Sequence, residues 1–416
     1  MKMLSQPEET LAGTGDLKGV RIIVVLGHFI LGGAERQALL LARHLFHDLG
    51  ADLEVWGTGE PGRVSQLCTD HGIPWRTAPV PVPWSPRVVT RIRNLASFTR
   101  ALRRARPDVI LPFMFYPSLA SGIVWRLAGA RVCIWNQRCE GRDRAGRIAE
   151  KLGTLLTRQF VANSALGRDF LVDTLGVSPS AVNVIYNGVQ LQPSQLDRAQ
   201  WRKHLGVDDD TFLACMVANL HQFKDHETLL RAWRIVVNQM NAMKREAVLL
   251  LAGAFFATEK PLKSLAFDLK LDRSVQFLGG VKDISGLLGA VDLGVHSSVN
   301  EGVPNGVLEC MAAGLAVTGT DYPGLREALG KEGYRFLAPA FDPRALASQI
   351  ILLASNDELR SQAGAANRLR IDAEFPPVMM YQKMVSLIAE GLRFGKGRAI
   401  DRHGQAFNIH VSEKSS

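Results

Sequence analysis

No apolar run in the chain is long enough to cross a bilayer. The longest, Ala247 to Ala257, falls well short of the about 20 residues that a spanning helix needs. The segment Met1 to Gly19 is polar and mixed in charge, without the apolar centre of a signal peptide, so a cytoplasmic protein is expected. Cysteine is scarce: Cys68, Cys133, Cys139, Cys215 and Cys310 are scattered, none has C-x-x-C spacing, and their odd number argues against a disulfide framework. Reduced thiols are expected, with Cys310 as core packing rather than a nucleophile. The first glycine turn lacks G-x-G-x-x-G spacing, which lowers the case for a dehydrogenase. Nor is there an Asp-x-Asp arrangement suited to Mg²⁺, or an aromatic-interleaved basic motif of the kind that binds nucleic acid.

What is present is a globular composition, 47% hydrophobic and 21% charged, over 416 residues. That length exceeds one ordinary core and suits two domains of roughly 180 to 200 residues. The positive charge is concentrated in one half: 23 Lys and Arg face 15 Asp and Glu in residues 1–195, against 26 and 25 in the remainder. Its densest part is Arg87 to Arg106, where Val88, Ile92, Leu95, Phe98 and Leu102 recur at three- and four-residue spacing and seven arginines fill other positions. That pattern is an amphipathic helix with a cationic face. Such a helix is either a solvated surface element or a dock for an anionic membrane or a diphosphate-linked lipid.

Val20 to Leu26 is a β-branched apolar run leading to the turn Gly27 to Gly33 and a helix over Ala34 to Leu49. Further strands are predicted at 52–56, 109–112, 132–135 and 159–162, and a second set at 212–217, 248–252, 275–278, 293–296 and 316–319. Alternation with helical stretches predicts two α/β domains in tandem, each a parallel sheet that binds ligands at the C-terminal ends of its strands. The boundary falls after Val184-Ile-Tyr-Asn-Gly-Val189, where an Asn-Gly turn precedes the polar stretch Gln190 to Arg198.

Glu301-Gly-Val-Pro-Asn-Gly-Val-Leu-Glu309 sets two carboxylates on either side of a Gly/Pro/Asn turn that runs into a helix ending near Gly314. Free amides and the positive end of the helix dipole attract phosphate there, while the carboxylates accept from hydroxyls, so one segment can hold a diphosphate and its sugars. The pattern resembles the signature of the family 4 glycosyltransferases, retaining enzymes of the two-domain GT-B fold. The resemblance implies that Glu301 contacts the donor sugar, that the amides of Gly302, Val303, Asn305 and Gly306 meet sugar and phosphate, and that Glu309 holds the ribose hydroxyls. Lys224 stands where the family has a lysine that neutralises the donor diphosphate. At the arginine position of that element stands Asn219, which donates a hydrogen bond but no charge.

Gly32 and Gly33 resemble the first-domain glycine loop that lets backbone approach the phosphate, and Gly279-Gly280-Val281-Lys282-Asp283 the loop that puts Val281 against the nucleobase. Pro323, Gly324 and Glu327 continue the family pattern. Many members carry a histidine in the first domain near the sugar. Here Asn136 and Arg138 fill that stretch, and Arg138 begins a cluster with Arg142, Arg144 and Arg147 expected to face a phosphorylated acceptor or the donor phosphate.

By the same resemblance the fold class is α/β, GT-B, with two Rossmann-like domains whose parallel sheets face across a cleft. Residues 1–195 are the expected acceptor domain, with a return helix at about 376–394; residues 196–375 are the donor domain, and 395–416 a mobile tail. The implied activity is retaining transfer of a sugar from a UDP or GDP sugar to an acceptor hydroxyl, with Glu301 and Lys224 catalytic and no cofactor or metal. The arginines favour a lipid-linked or surface-polysaccharide acceptor, as in lipopolysaccharide synthesis, at the inner face of the plasma membrane. Two other functions suit a GT-B pair. One is a nucleotide-sugar epimerase, which needs acid and base carboxylates facing the sugar from both domains; the other is a non-catalytic nucleotide-sugar-binding protein.

Overall fold

The computed structural model describes residues 17–138, 141, 143–299 and 301–396. Cys139, Arg142 and the tail beyond residue 396 lie outside the described residues. By its contacts the chain divides into two compact units, one built from the chain up to Trp135, Ala145–Gln159 and the segment from Gln382 on, the other from Asn136–Arg144 and Phe160–Tyr381. Residues 160–195, grouped with the first half by the sequence, count with the second unit by this measure.

Seven strands, β1 (Arg21–Val25), β2 (Asp52–Gly57), β3 (Trp75–Thr77), β4 (Val109–Pro112), β5 (Val132–Gln137), β6 (Gln159–Ala162) and β7 (Val182–Val184), form a sheet in the order β3-β2-β1-β4-β5-β6-β7. Six more, β8 (Phe212–Val217), β9 (Ala247–Ala252), β10 (Val275–Gly279), β11 (Leu293–His296), β12 (Val317–Thr320) and β13 (Leu337–Ala338), form a second in the order β10-β9-β8-β11-β12-β13. Strand order reverses between β1 and β4 and between β8 and β11, the switch points where open parallel sheets bind ligands. The predicted strands are all present. The short β3, β7 and β13 were not anticipated, because two or three residues at or near a sheet edge leave no periodic signal.

Burial on both faces explains why the central strands are apolar throughout. In β8, Phe212, Ala214 and Met216 pack with Leu229, Trp233 and Val236 of the helix His226–Ala242, whereas Leu213 and Cys215 pack with Trp201, Leu287, Leu308 and Met311 from helices on the opposite face. Two-residue alternation thus feeds two cores from one strand. Each fully buried Leu or Val contributes about 1.5–3 kcal/mol.

In the first unit Ile23, Val25, Ile110 and Cys133 form one sheet face, covered in part by Phe98 and Leu102 of the helix Val88–Ala105. That helix uses only its C-terminal half for the core; Val88, Val89 and Ile92 stay exposed. The last helix, Pro377–Lys396, returns to the first unit, where Arg131 donates to the Leu392 carbonyl and Gln159 to that of Leu387. Cys68, Cys133, Cys215 and Cys310 are free and buried. Among the described residues no helix is long and apolar enough to cross a membrane.

Candidate functional site

The loops leaving β8 and β11 flank the switch point of the second sheet and carry Lys224 and Glu301. Ser297 Oγ donates to the Asp225 carbonyl at 2.6 Å and Ser298 Oγ to that of Phe223 at 3.0 Å, so the second loop pins the first. Asp225 caps the helix His226–Ala242, accepting from the Thr228 N–H at 3.1 Å. Lys224 is thereby fixed, and its ammonium donates to Oε2 of Glu301.

Glu301 is held from two further directions. His296 Nε2 lies 2.8 Å from Oε1, and the Tyr322 hydroxyl donates to the same oxygen at 3.3 Å. Burial pushes the Glu301 pKa up, but the Lys224 charge and the His296 hydrogen bond outweigh it and hold the carboxyl well below the usual carboxylate range. For His296, which is buried, desolvation and then the Lys224 charge push the pKa down. The ring is therefore neutral at neutral pH. Because an ionised carboxylate only accepts, its Nε2 carries the proton. Burial likewise lowers the neighbouring His226 to about 4. The result is an acceptor-only group with locked orientation.

The helix Asn305–Ala312 begins four residues later with Pro304 at its cap. Its first amides have no acceptor within the helix, as in every α-helix, and point toward its N-terminal side. Gly306 permits close approach to β8: a Cβ there would sit 1.9 Å from the Val217 carbonyl oxygen. Gly324 is crowded in the same way by the carbonyls of Gly302 and Glu301, at 2.2 and 2.3 Å from a Cβ. Val303 is buried in the apolar cluster below. Glu309 is buried on the second turn; burial first, and then its charge, push the Cys215 thiol up to about 12.

Asn136, Arg138 and Asn305 are joined by one hydrogen-bonded chain. Arg138 Nη2 donates to Asn136 Oδ1 at 3.1 Å and its Nη1 to Asn187 Oδ1 at 2.9 Å, while Asn187 Nδ2 donates to Asn305 Oδ1 at 2.7 Å. Arg138 is buried, and desolvation lowers its pKa to about 10. Arg144 and Arg147 are exposed, so they do not share its surroundings.

Other predicted residues have structural ties. Asn219 Oδ1 accepts from the Ala254 N–H at 2.9 Å, which commits its oxygen to the loop after β9. Val281 packs on the apolar cluster beyond β10, and the adjacent Asp283 accepts from the Trp201 indole at 2.9 Å. The Glu327 carboxylate accepts from the Ala165 N–H at 2.9 and 3.0 Å. A cavity of about 690 Å³ opens beside Tyr322, lined also by Tyr186, Asp321, Arg326, Glu327 and Tyr334. In the first unit Gly32 caps the helix Gly33–Arg43, and the Glu35 carboxylate folds back onto that turn, its pKa raised by burial. His296, Tyr322 and Asn187 were not among the sequence candidates. For His296 the available signal was a polar residue closing an otherwise apolar strand.

Two family models match the chain, Glycosyltransferase Family 4 over residues 31–193 and Glycosyl transferases group 1 over residues 197–370. The chain belongs to the family 4 glycosyltransferases. Among curated relatives of this family member, the putative glycosyltransferase EpsD of Bacillus subtilis is 30% identical over 42% of this chain and 45% of its own length. An Escherichia coli protein named UDP-Gal:alpha-D-GlcNAc-diphosphoundecaprenol alpha-1,3-galactosyltransferase is 22% identical over 55% of this chain and 61% of its own. The chain spans about half the length of the curated relatives it matches. Among solved structures, Anabaena HepE in complex with UDP and glucose aligns with a TM-score of 0.76 at 20% identity, covering 89% of this chain and 99% of that one. The lipopolysaccharide glycosyltransferase WaaG gives 0.65 at 16% identity over 88% and 99%. The fold is GT-B.

Proposed function

We propose that this family 4 member transfers a sugar, with retention of configuration, from a nucleoside diphosphate to an acceptor hydroxyl. One observation carries the reading: an ionised Glu301, locked by Lys224, His296 and Tyr322, at the amide-bearing start of the Asn305–Ala312 helix. The amides, the helix dipole and Lys224 would take the charge that develops on the leaving diphosphate. Glu301 would accept from sugar hydroxyls and fix the ring, and Glu309 would hold the ribose. A carboxyl held below its usual range suits an acceptor from sugar hydroxyls rather than a general acid. Retention needs no protein nucleophile when the acceptor attacks from the face the diphosphate leaves and a phosphate oxygen takes the proton.

UDP is the favoured nucleotide, since the Anabaena structure is described with UDP and glucose and the E. coli relative is named for a UDP-galactose donor. The diphosphoundecaprenol in that relative's name supports a lipid-linked glycan acceptor, reached at the inner membrane face. Transfer is proposed to need no metal. The test is product formation from UDP and GDP sugars with an undecaprenyl-diphosphate-linked sugar, with and without EDTA. Transfer from a UDP sugar that survives EDTA and falls by about 100-fold or more in Glu301→Gln is expected. Near-normal turnover in Glu301→Gln would refute its role, and donor binding without transfer to any acceptor would favour a binding protein.

A further inference from the structure

The helix Arg147–Leu156 is built inside out. It meets its neighbour, the helix Phe115–Val124, through small groups: a Cβ on Gly153 would lie 2.6 Å from Leu119 Cδ1, and one on Gly122 would lie 2.4 Å from Thr157 Oγ1. Its one acid, Glu150, is turned inward, where it accepts from the Ala145 and Gly146 N–H groups at 2.7 and 3.2 Å and so caps its own helix. The large apolar residues are on the outside. Ile148 is 88% exposed, Leu152 44% and Leu155 70%, a stripe at helical spacing, and Leu127 in the turn after the neighbouring helix is 65% exposed. Arg147, Lys151 and Arg158 are exposed on the same segment, and Arg126 stands close enough to Arg158 to feel its charge.

We propose that this face docks the protein on an anionic lipid surface, with Ile148, Leu152 and Leu155 entering the headgroup boundary and Arg126, Arg147, Lys151 and Arg158 meeting lipid phosphates. An apolar stripe flanked by cations, on a helix whose one acid is turned inward, has the chemistry of a helix lying in that plane. A second copy of the chain fits less well, because a two-fold contact would set these cations against themselves. The proposal goes beyond the donor reading and does not depend on it.

The test is flotation of the full chain with vesicles of phosphatidylcholine alone or mixed with phosphatidylglycerol. The protein should float with the anionic vesicles only, and release with salt is expected from screening. The triple variant Ile148→Glu/Leu152→Glu/Leu155→Glu should partition about tenfold less or worse, with melting temperature and UDP-induced stabilisation unchanged. Arg147→Ala/Lys151→Ala/Arg158→Ala should also lower binding about tenfold or more. Absence of flotation by the unaltered chain, or equal flotation by the apolar variant, overturns the proposal. A dimer that the apolar variant converts to monomer, without lipid binding, would reassign the face to a second copy. UDP stabilisation reads the donor site separately, so failure of either reading is distinguishable from failure of the other.

Discussion

Replacing Lys224 with methionine keeps the apolar stem and removes the one full positive charge bonded to Glu301 among the described residues. The two side chains are only 21% and 14% exposed. Breaking a fully buried pair costs about 3–5 kcal/mol, and with some exposure and with His296 and Tyr322 still in place about 2–3 kcal/mol is expected here near pH 8. The pH dependence follows from the direction of the shift. Glu301 is depressed in the folded state, so its stabilising contribution is present above the unfolded value of 4.5 and is lost only as pH falls through the lower folded value. Without Lys224, burial is opposed on the carboxyl chiefly by the His296 hydrogen bond, and His296 is relieved of the ammonium's repulsion. One of them then takes up a proton as pH falls. The deficit should shrink by about 1 kcal/mol or more between about pH 8 and pH 5.5, since each pKa unit is worth about 1.4 kcal/mol. Urea denaturation of both proteins at the two pH values measures it, and the double variant Lys224→Met/Glu301→Gln should recover most of the loss. A deficit below about 0.5 kcal/mol near pH 8, or one that is the same at both pH values, would refute the claim that Lys224 keeps Glu301 ionised.

Gly306→Ala should destabilise the second unit by about 3 kcal/mol or more, because its methyl would overlap the Val217 carbonyl, whereas Gly280→Ala, with nothing within 4 Å, should cost little; thermal melts of both compare them. Asn187→Ala removes the link between Arg138 and Asn305 and should cost about 1–3 kcal/mol, together with a weaker response to UDP in the same melts. Glu309→Ala should retain the fold but lose stabilisation by UDP, which a panel of nucleoside diphosphates would show against the unaltered chain.

The strands that build both sheets were legible because residues buried on two faces must be apolar throughout, and β8, β9 and β11 have little room for exception. The turn before the site helix was legible for a related reason. Gly306 and Gly324 stand where backbone meets backbone, and only glycine fits. The polar network around Glu301 was not legible. Lys224 lies 77 residues from it, and the pairing of β11 with β8 at Leu293 and Gly294 is what brings the two loops together. Spacing along the chain carries no trace of such a meeting. Arg138 is a different case: its arginine-rich surroundings in sequence suggest a loop facing phosphate, but they do not show that this side chain is buried and turned to two asparagines. Charge density along a chain says where cations are numerous, not which one is desolvated. His296 is the more instructive case, because burial at the end of an apolar strand makes a histidine look like core. Ligands gather at the C-terminal ends of the strands beside a switch point, so a polar residue closing such a strand is better read as a partner of the site than as an irregularity of the sheet.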